Sequence, residues 1–148
     1  MHQNTNGYQA YQRSDETLSG VPAILAVYDA IISHIYRAID AIEKEDFETR
    51  YNSITRACEG LLAMRGTLDF DNAKAAAEAL DRFYEAMDAR LMQVHFSNDI
   101  NICKEVISNI SRVRRAWENI EQYQLDESSS AKINNNAQQK AESMLVTA

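Results

Sequence analysis

The chain has 148 residues, a formal net charge of −7, and only one proline and four glycines. This length is enough for one domain with a sizeable core, and so little proline and glycine favours helices joined by short turns. The acidic balance disfavours binding to nucleic acid and insertion into an anionic membrane, because both attract cations. No apolar run approaches the roughly 20 residues of a membrane span, and the N-terminus lacks the apolar segment of a secretory signal.

Residues 1–18 are polar and have no helical periodicity, which predicts a flexible N-terminal arm. Its large apolar residues before Leu18 are Tyr8 and Tyr11. A polar arm that carries two tyrosines three residues apart indicates a segment that docks on another surface.

The most regular pattern of the chain is a helix predicted from Ser19 to Glu45. Ser19 is the predicted N-cap, and Pro22 lies in the first turn, where its missing N–H costs nothing. Its core row steps by three and four residues and consists of Leu25, Tyr28, Ile32, Ile35, Ile39 and Ile42. A second row lies beside it and consists of Ile24, Val27, Ile31 and Ala38. The apolar surface is therefore wider than one seam.

Asp46 is the predicted N-cap of a second helix that runs to about Leu68. Its core row consists of Phe47, Ile54, Ala57, Leu61, Met64 and Leu68, and the flanking positions are Tyr51, Cys58 and Leu62. Gly60 lowers the helix propensity by about 1 kcal/mol. We therefore predict that a neighbouring helix approaches closely at this glycine.

The third helix is predicted from Ala73 to about Val94, after a turn at residues 69–72. Its core row consists of Ala76, Leu80, Phe83, Met87, Leu91 and Val94, with Tyr84 alongside. Residues 95–99 are the next predicted turn. The fourth helix runs from about Ile100 to Tyr123, and its core row consists of Cys103, Val106, Ile110, Val113, Trp117 and Ile120, widened by Ile100 and Ile107.

Residues 124–148 change in composition to Ser, Asn, Gln and Ala, which predicts a polar tail that is disordered or weakly helical. The weak helical signal is the four-residue spacing of Ile133, Ala137, Ala141 and Leu145. The fold class predicted for residues 19–123 is all-α. Because the connecting turns are short, the helices form an antiparallel up-down-up-down four-helix bundle about 35 Å long.

No pattern in the chain indicates catalysis, a metal or a cofactor. Glu-x-x-His pairs and phosphate-binding glycine motifs are absent from the sequence, and Cys58 and Cys103 are predicted to be buried free thiols. An alternative is a histidine phosphotransfer bundle that uses His34, since Arg37 follows on the same face. Against it, Ala38 stands where such modules usually carry glycine. The arginines Arg112, Arg114 and Arg115 are interpreted as a solvated face.

The apolar excess beside the core rows has two interpretations. The second stripes of helices one, two and four either broaden the core or leave a groove that takes an amphipathic helix or an extended apolar peptide. In the second case, the arm with Tyr8 and Tyr11 is tethered within reach of such a groove. The tyrosines then act either as a lid over the groove or as direct contacts to a bound partner.

From Tyr8 to about Glu121, the chain resembles the flagellar export chaperone family FliS. The arm YQAYQ at residues 8–12 is similar to the family's Y-x-A-Y-Q, and TLSGVPAILAVYDA at residues 17–30 resembles its first-helix motif. Further matches, in the family's order and spacing, are Thr67 to Asp69, Tyr84, Met87, Arg90, Leu91, Asp99, Glu105, Val106 and Arg115 to Trp117. Departures are Gly20 and Pro22 at shifted places, Ala73 and Lys74 where the family has glycines, and His95 in place of asparagine.

The resemblance implies a cytoplasmic chaperone with no enzymatic activity and no cofactor. It implies binding to the C-terminal segment of unpolymerised flagellin, which would prevent premature polymerisation and keep the client competent for export. The partner-binding residues expected on this basis are Tyr8, Tyr11, Leu25, Tyr28, Ile32, Leu61, Tyr84, Met87 and Leu91. Contacts with export-apparatus components, a homodimer and an adaptor role for another export client stay open.

Overall fold

The computed structural model describes residues 20–146, which form four α-helices and no strand. The helices are α1 (Val21–Glu43), α2 (Phe47–Gly66), α3 (Lys74–Ser97) and α4 (Ile100–Val146). α1 packs against α2 and α4, and α3 packs against the same two helices. The predicted all-α four-helix bundle is therefore confirmed. We call the end where α1 begins the upper end and the end where α1 finishes the lower end.

The starts of the first two helices follow from local chemistry. α1 begins at Val21, and Gly20 is its N-cap residue with a φ of 73° and no side-chain cap, while the predicted cap Ser19 lies outside the described residues. Asp46 caps α2 as predicted, since its carboxylate accepts a hydrogen bond of 3.1 Å from the backbone N–H of Thr49. A carboxylate at this position also interacts favourably with the positive end of the helix.

The predicted turn between the third and fourth helices is wrong at its first residues, because α3 continues through His95 to Ser97. The helix ends at Asn98, which has a left-handed φ of 50° and donates its backbone N–H to the carbonyl of Val94. Asparagine tolerates this conformation better than most residues. Asp99 then accepts a hydrogen bond of 2.8 Å from the N–H of Asn101 and so satisfies a free donor in the first turn of α4.

The predicted end of the fourth helix near Tyr123 is also wrong, because α4 continues to Val146. Neither proline nor glycine interrupts residues 124–146. At 1.5 Å per residue the 47 residues of α4 span about 70 Å, twice the length of α1, so its second half extends past the upper end of the bundle. The described side chains from Leu125 to Leu145 are all exposed.

The core follows the predicted rows in part, and one departure is on α1. On α1, Ile31 and Ala38 of the second row are fully buried, whereas Ile32, Ile39 and Ile42 of the first row are only half-buried. The fully buried large side chains are Tyr28, Ile31, Ile35, Ile54, Leu61, Tyr84, Leu91, Val94, Cys103, Val106 and Ile110. Each contributes roughly 1.5–3 kcal/mol by burial.

Gly60 marks the place where α1 and α2 approach each other most tightly. A Cβ atom at this position would lie 2.5 Å from Cγ1 of Ile31, closer than two carbon atoms can come. The close approach predicted from the sequence is confirmed, and the neighbouring helix is α1.

Two ion pairs tie α4 to the helices beside it. Arg114 donates to both carboxylate oxygens of Asp29 on α1, at 2.6 and 3.1 Å, and Arg90 on α3 pairs with Glu105. The interpretation of the arginine cluster as a solvated face is therefore wrong for Arg114, while Arg112 and Arg115 are exposed. Such partly exposed pairs contribute about 0–1 kcal/mol each, so they orient the helices more than they stabilise them.

Candidate functional site

The upper end of the bundle contains an apolar cavity of about 210 Å³, which we call the upper cavity. It lies where α1, α3 and α4 meet the turn after α2, and its walls are Ile24, Met64, Leu68, Ala73, Ala76, Ala77, Leu80, Tyr84 and Trp117, with Thr67 and Asp69 at the rim. Ile24, Leu68, Leu80 and Trp117 are half-buried, so each presents apolar surface toward the opening. The cavity is suited to receive an apolar side chain from another segment.

Two tyrosines and a tryptophan join below this cavity. The hydroxyl groups of Tyr28 and Tyr84 form a short hydrogen bond in the core, and Trp117 lies near the hydroxyl of Tyr28. Burial raises the pKa of Tyr28, and burial together with the hydrogen bond to Tyr28 raises the pKa of Tyr84. Both phenols are therefore neutral near pH 7.

A second surface lies between α2 and α3, and we call it the α2–α3 groove. Its α2 wall carries the predicted flanking positions Tyr51, Cys58 and Leu62, preceded by Phe47, and its α3 wall includes Asp88. A cavity of about 230 Å³ lies toward its upper end, lined by Thr55, Cys58, Glu59, Leu61, Leu62, Arg65 and Asp88. Leu62 is 67% exposed and Tyr51 is 55% exposed, so this helix face is open among the described residues.

The lower end of the groove is held by aromatic and cationic contacts. The ring of Tyr51 lies 5.0 Å from that of His95, and Arg50 lies 6.0 Å from the ring of Phe47. Arg50 is itself buried and donates to the carbonyl of Val94 and toward Nδ1 of His95. Burial and then the charge of Arg50 lower the pKa of His95, so this imidazole stays neutral and can accept.

The two cysteines differ in accessibility and neither is paired. Cys103 is buried as predicted, and Cys58 is only half-buried in the α2–α3 groove. Burial and the hydrogen bond to Asp88 raise the pKa of Cys58 to about 12, so little reactive thiolate is present near pH 7. Cys58 has the environment of a structural thiol.

His34, the candidate for phosphotransfer, is half-buried on α1. Its pKa is lowered by burial and by the charges of Arg37 and Arg56. Across residues 20–146 no group of three or more His, Cys, Asp or Glu side chains is placed to hold a metal ion. In the same range no helix is long and apolar enough to cross a membrane.

The predicted partner-binding residues lie in three different places. Tyr8 and Tyr11 are outside the described residues. Six are buried in the bundle core, namely Leu25, Tyr28, Leu61, Tyr84, Met87 and Leu91, and Ile32 is half-buried. Tyr84 also contributes to the wall of the upper cavity, and Leu61 to the cavity of the α2–α3 groove. Direct contact of any of these residues with a partner stays a prediction.

The exposed apolar surface is instead supplied by positions that the sequence reasoning assigned to core rows or to their flanks. At the upper cavity these are Ile24, Leu68, Leu80 and Trp117, and in the α2–α3 groove they are Tyr51 and Leu62. Ile24, Tyr51 and Leu62 belong to the second stripes, whereas Leu68, Leu80 and Trp117 belong to the predicted core rows. Periodicity did not show which positions are buried, because Ile31 and Ala38 of the α1 stripe face the core while Tyr51 and Leu62 of the α2 stripe face outward.

Comparison with known protein sequences groups this chain with flagellar proteins. A family model described as flagellar protein FliS matches residues 4–124. The chain is 30% identical over 89 residues to the flagellar secretion chaperone FliSB of Pseudomonas aeruginosa, covering 60% of this chain and 71% of that protein. It is 27% identical over 113 residues to the flagellar secretion chaperone FliS of Bacillus subtilis, with coverages of 76% and 84%. It is 24% identical over 119 residues to that of Campylobacter jejuni, with coverages of 80% and 93%.

Proposed function

This chain belongs to the FliS family of flagellar proteins, and from that membership we propose that it binds the C-terminal segment of unpolymerised flagellin in the cytosol. Its relatives are flagellar secretion chaperones, and its own role is that of a secretion chaperone with a client protein. Holding the client's apolar segment prevents contacts between flagellin molecules before export. The client stays unassembled and available to the export apparatus.

The observation that carries this proposal is the upper cavity, an apolar opening at the end of a stable bundle. An amphipathic helix of the client places one or two apolar side chains between Ile24, Leu80 and Trp117. The bundle beneath is fully packed, so it presents this opening without first having to fold. Binding then buries apolar area on both partners, which is the main source of affinity.

The N-terminal arm is part of the same proposal. It joins the bundle at Gly20, four residues before Ile24 in the cavity wall. If Tyr8 and Tyr11 cover the cavity, they lower the apparent affinity for the client by the fraction of time that the cavity is open. Deleting residues 1–14 then tightens client binding, whereas the deletion weakens it if the tyrosines contact the client directly.

Isothermal titration with a synthetic peptide of the flagellin C-terminus tests the proposal. We expect a one-to-one complex with a negative heat-capacity change, and a change in the fluorescence of Trp117, the single tryptophan. No heat at two temperatures, together with unchanged fluorescence, would contradict it.

A matched pair of variants on α3 tests whether the flagellin peptide binds at the upper cavity. Ala76 and Ala79 are both exposed, but only Ala76 lines the upper cavity. We expect Ala76→Glu to weaken peptide binding at least tenfold, about 1.4 kcal/mol, because the client would have to desolvate a carboxylate. Ala79→Glu should bind like the unaltered protein. Equal effects of the two substitutions would place the client elsewhere.

A further inference from the structure

The α2–α3 groove is a second apolar surface, and the upper cavity shares none of its lining residues. We propose that this groove is a docking site for a basic amphipathic helix of a second protein, distinct from the client. The chaperone would then carry its client and this partner at the same time, as an adaptor does.

The apolar part of the groove runs along one face of α2. Phe47, Tyr51, Cys58 and Leu62 follow one another at steps of four, seven and four residues, which keeps them on a single helical face. Across the groove, Met92 on α3 is 46% exposed. From Phe47 to Leu62 the face is about 22 Å long at 1.5 Å per residue, so it accommodates about four turns of a docked helix.

The charged side chains of the groove are mostly acidic. Glu59 and Asp88 line its cavity, and Glu85 lies one turn from Asp88 on α3. The cation in the lining, Arg65, is already held by Asp81 at 2.8 Å. Another nearby cation, Arg56, lies with Glu59 on the adjoining depression of α2. The wall of the groove therefore offers carboxylates without an equal number of free cations.

This combination selects the kind of partner. Apolar side chains fit along Phe47, Tyr51 and Leu62, while lysine or arginine at the helix edge reaches the carboxylates and covers apolar surface with its stem. Phosphate-bearing partners such as nucleic acid or anionic lipid are repelled by the same carboxylates. The same face of a second copy would bring like charges together.

The probe for this site is a synthetic 18-residue helical peptide with leucines on one face and lysines along both edges, compared with a version in which glutamates replace the lysines. With the full-length protein, we expect the lysine peptide to bind at least tenfold more tightly than the glutamate peptide and to weaken as salt is added. Leu62→Ser should weaken the lysine peptide at least tenfold. The matched control Leu145→Ser, at an exposed leucine outside the groove, should leave its affinity unchanged.

Alkylation of Cys58, the half-buried thiol in the groove, reports whether the lysine peptide binds there. Buried Cys103 is the internal reference. Bound lysine peptide should slow the alkylation of Cys58, followed by mass spectrometry, while the flagellin peptide should neither protect Cys58 nor displace the lysine peptide. The inference is overturned by equal binding of the two probes, by failure of the lysine peptide to bind, or by unprotected Cys58. The inference is also overturned if the flagellin peptide displaces the lysine peptide, because the groove would then be part of the client-binding site. These outcomes do not depend on whether flagellin binds at the upper cavity.

Discussion

At the scale of single residues, the Tyr28–Tyr84 pair connects core packing to the upper cavity. Both rings are fully buried, and their hydroxyl groups satisfy each other inside an apolar core. A buried hydroxyl without a partner costs about 1–3 kcal/mol, so this pair is stable only while both members are present. Tyr84 and Trp117 both line the upper cavity, which links the pair to the surface proposed for the client.

We predict that Tyr84→Phe destabilises the fold by about 1–2 kcal/mol, because the buried Tyr28 loses its hydroxyl partner. Adding Tyr28→Phe to this variant should cost less than Tyr28→Phe alone, since the two hydroxyl groups act as a unit. Urea unfolding of the two single variants and the double variant gives the coupling. Tyr36→Phe, at an exposed tyrosine of α1, is the control and should be neutral. Strictly additive losses would show that the hydroxyl groups contribute independently.

At the scale of helices, the packing of α1 against α2 depends on Gly60. Alanine is the better helix former by about 1 kcal/mol, so the glycine is unfavourable within α2 taken alone. It is retained because its missing Cβ leaves room for Ile31, which is fully buried. The tertiary contact outweighs the local preference at this position.

Gly60→Ala should therefore destabilise the fold by about 1–3 kcal/mol, as overpacking does, despite the gain in helix propensity. The comparison is Gly66→Ala near the end of the same helix, where an added Cβ meets no atom within 4 Å and no loss is expected. In an Ile31→Ala background the cost of Gly60→Ala should shrink. Denaturant unfolding of the unaltered protein and of these variants measures the losses. A stabilising Gly60→Ala would refute the steric explanation.

The second helical feature is the extension of α4. The described side chains of residues 125–145 are all exposed, and the extension lies beyond the part of the chain that the family model matches. A helix of this length without packing is only marginally stable, because each residue gains one hydrogen bond and no buried surface. The extension therefore contributes little to the stability of the bundle.

A chain that ends at residue 123 should melt within about 1 °C of the full-length protein, because no apolar burial is lost from the core. If the extension is helical in solution, the molar helical signal in circular dichroism should fall in proportion to the residues removed. A melting temperature several degrees lower would show that residues 124–148 pack against the bundle.

At the scale of the whole molecule, two apolar surfaces lie on one acidic bundle. The upper cavity is closed below by the buried tyrosines, and the α2–α3 groove runs along the outside between two helices. In the groove, burial and Asp88 raise the pKa of Cys58 to about 12, and next to the upper cavity burial raises the pKa of both tyrosines.

Stability of the whole fold should fall as the pH drops below about 6.5, the ordinary pKa of histidine. The pKa values of His34 and His95 are lowered in the folded protein, chiefly by burial, so the unfolded chain takes up protons first. Their contribution is complete above the unfolded pKa and is lost as the pH falls toward the folded pKa. The carboxylates of Asp46, which caps α2, and of Asp69, which accepts hydrogen bonds from Asn72 in the turn before α3, also have lowered pKa values and add a separate loss below about pH 4.

The measurement is urea unfolding at a series of pH values between 8 and 3, and His95→Asn is the informative variant. Asparagine cannot take up a proton, so this variant should show a shallower fall between pH 6.5 and 5. The fall below pH 4 should be unchanged, because Asp46 and Asp69 remain. A profile that is flat around pH 6 in the unaltered protein would contradict the histidine assignment.

Much of this architecture could be predicted from the sequence because helix periodicity and caps are local. The spacing from Leu25 to Ile35 predicts a helix, Asp46 predicts the start of α2, and Gly60 predicts a close approach, and all three agree with the structure. The errors in the helix bounds lie at helix ends. Composition alone could not show that α3 continues through His95 or that α4 continues past Tyr123, because no residue at either place forbids helix.

The candidate surfaces were decided only by tertiary structure. Periodicity predicts that a helix has two apolar stripes, but it does not say which stripe has a neighbour. Around the bundle, α1 lies between α2 and α4 and buries Ile31 and Ala38 of its second row, whereas the row of Tyr51 and Leu62 on α2 has no described helix over it. The same pattern of residues is therefore core on one helix and surface on another, because burial depends on where the other helices lie.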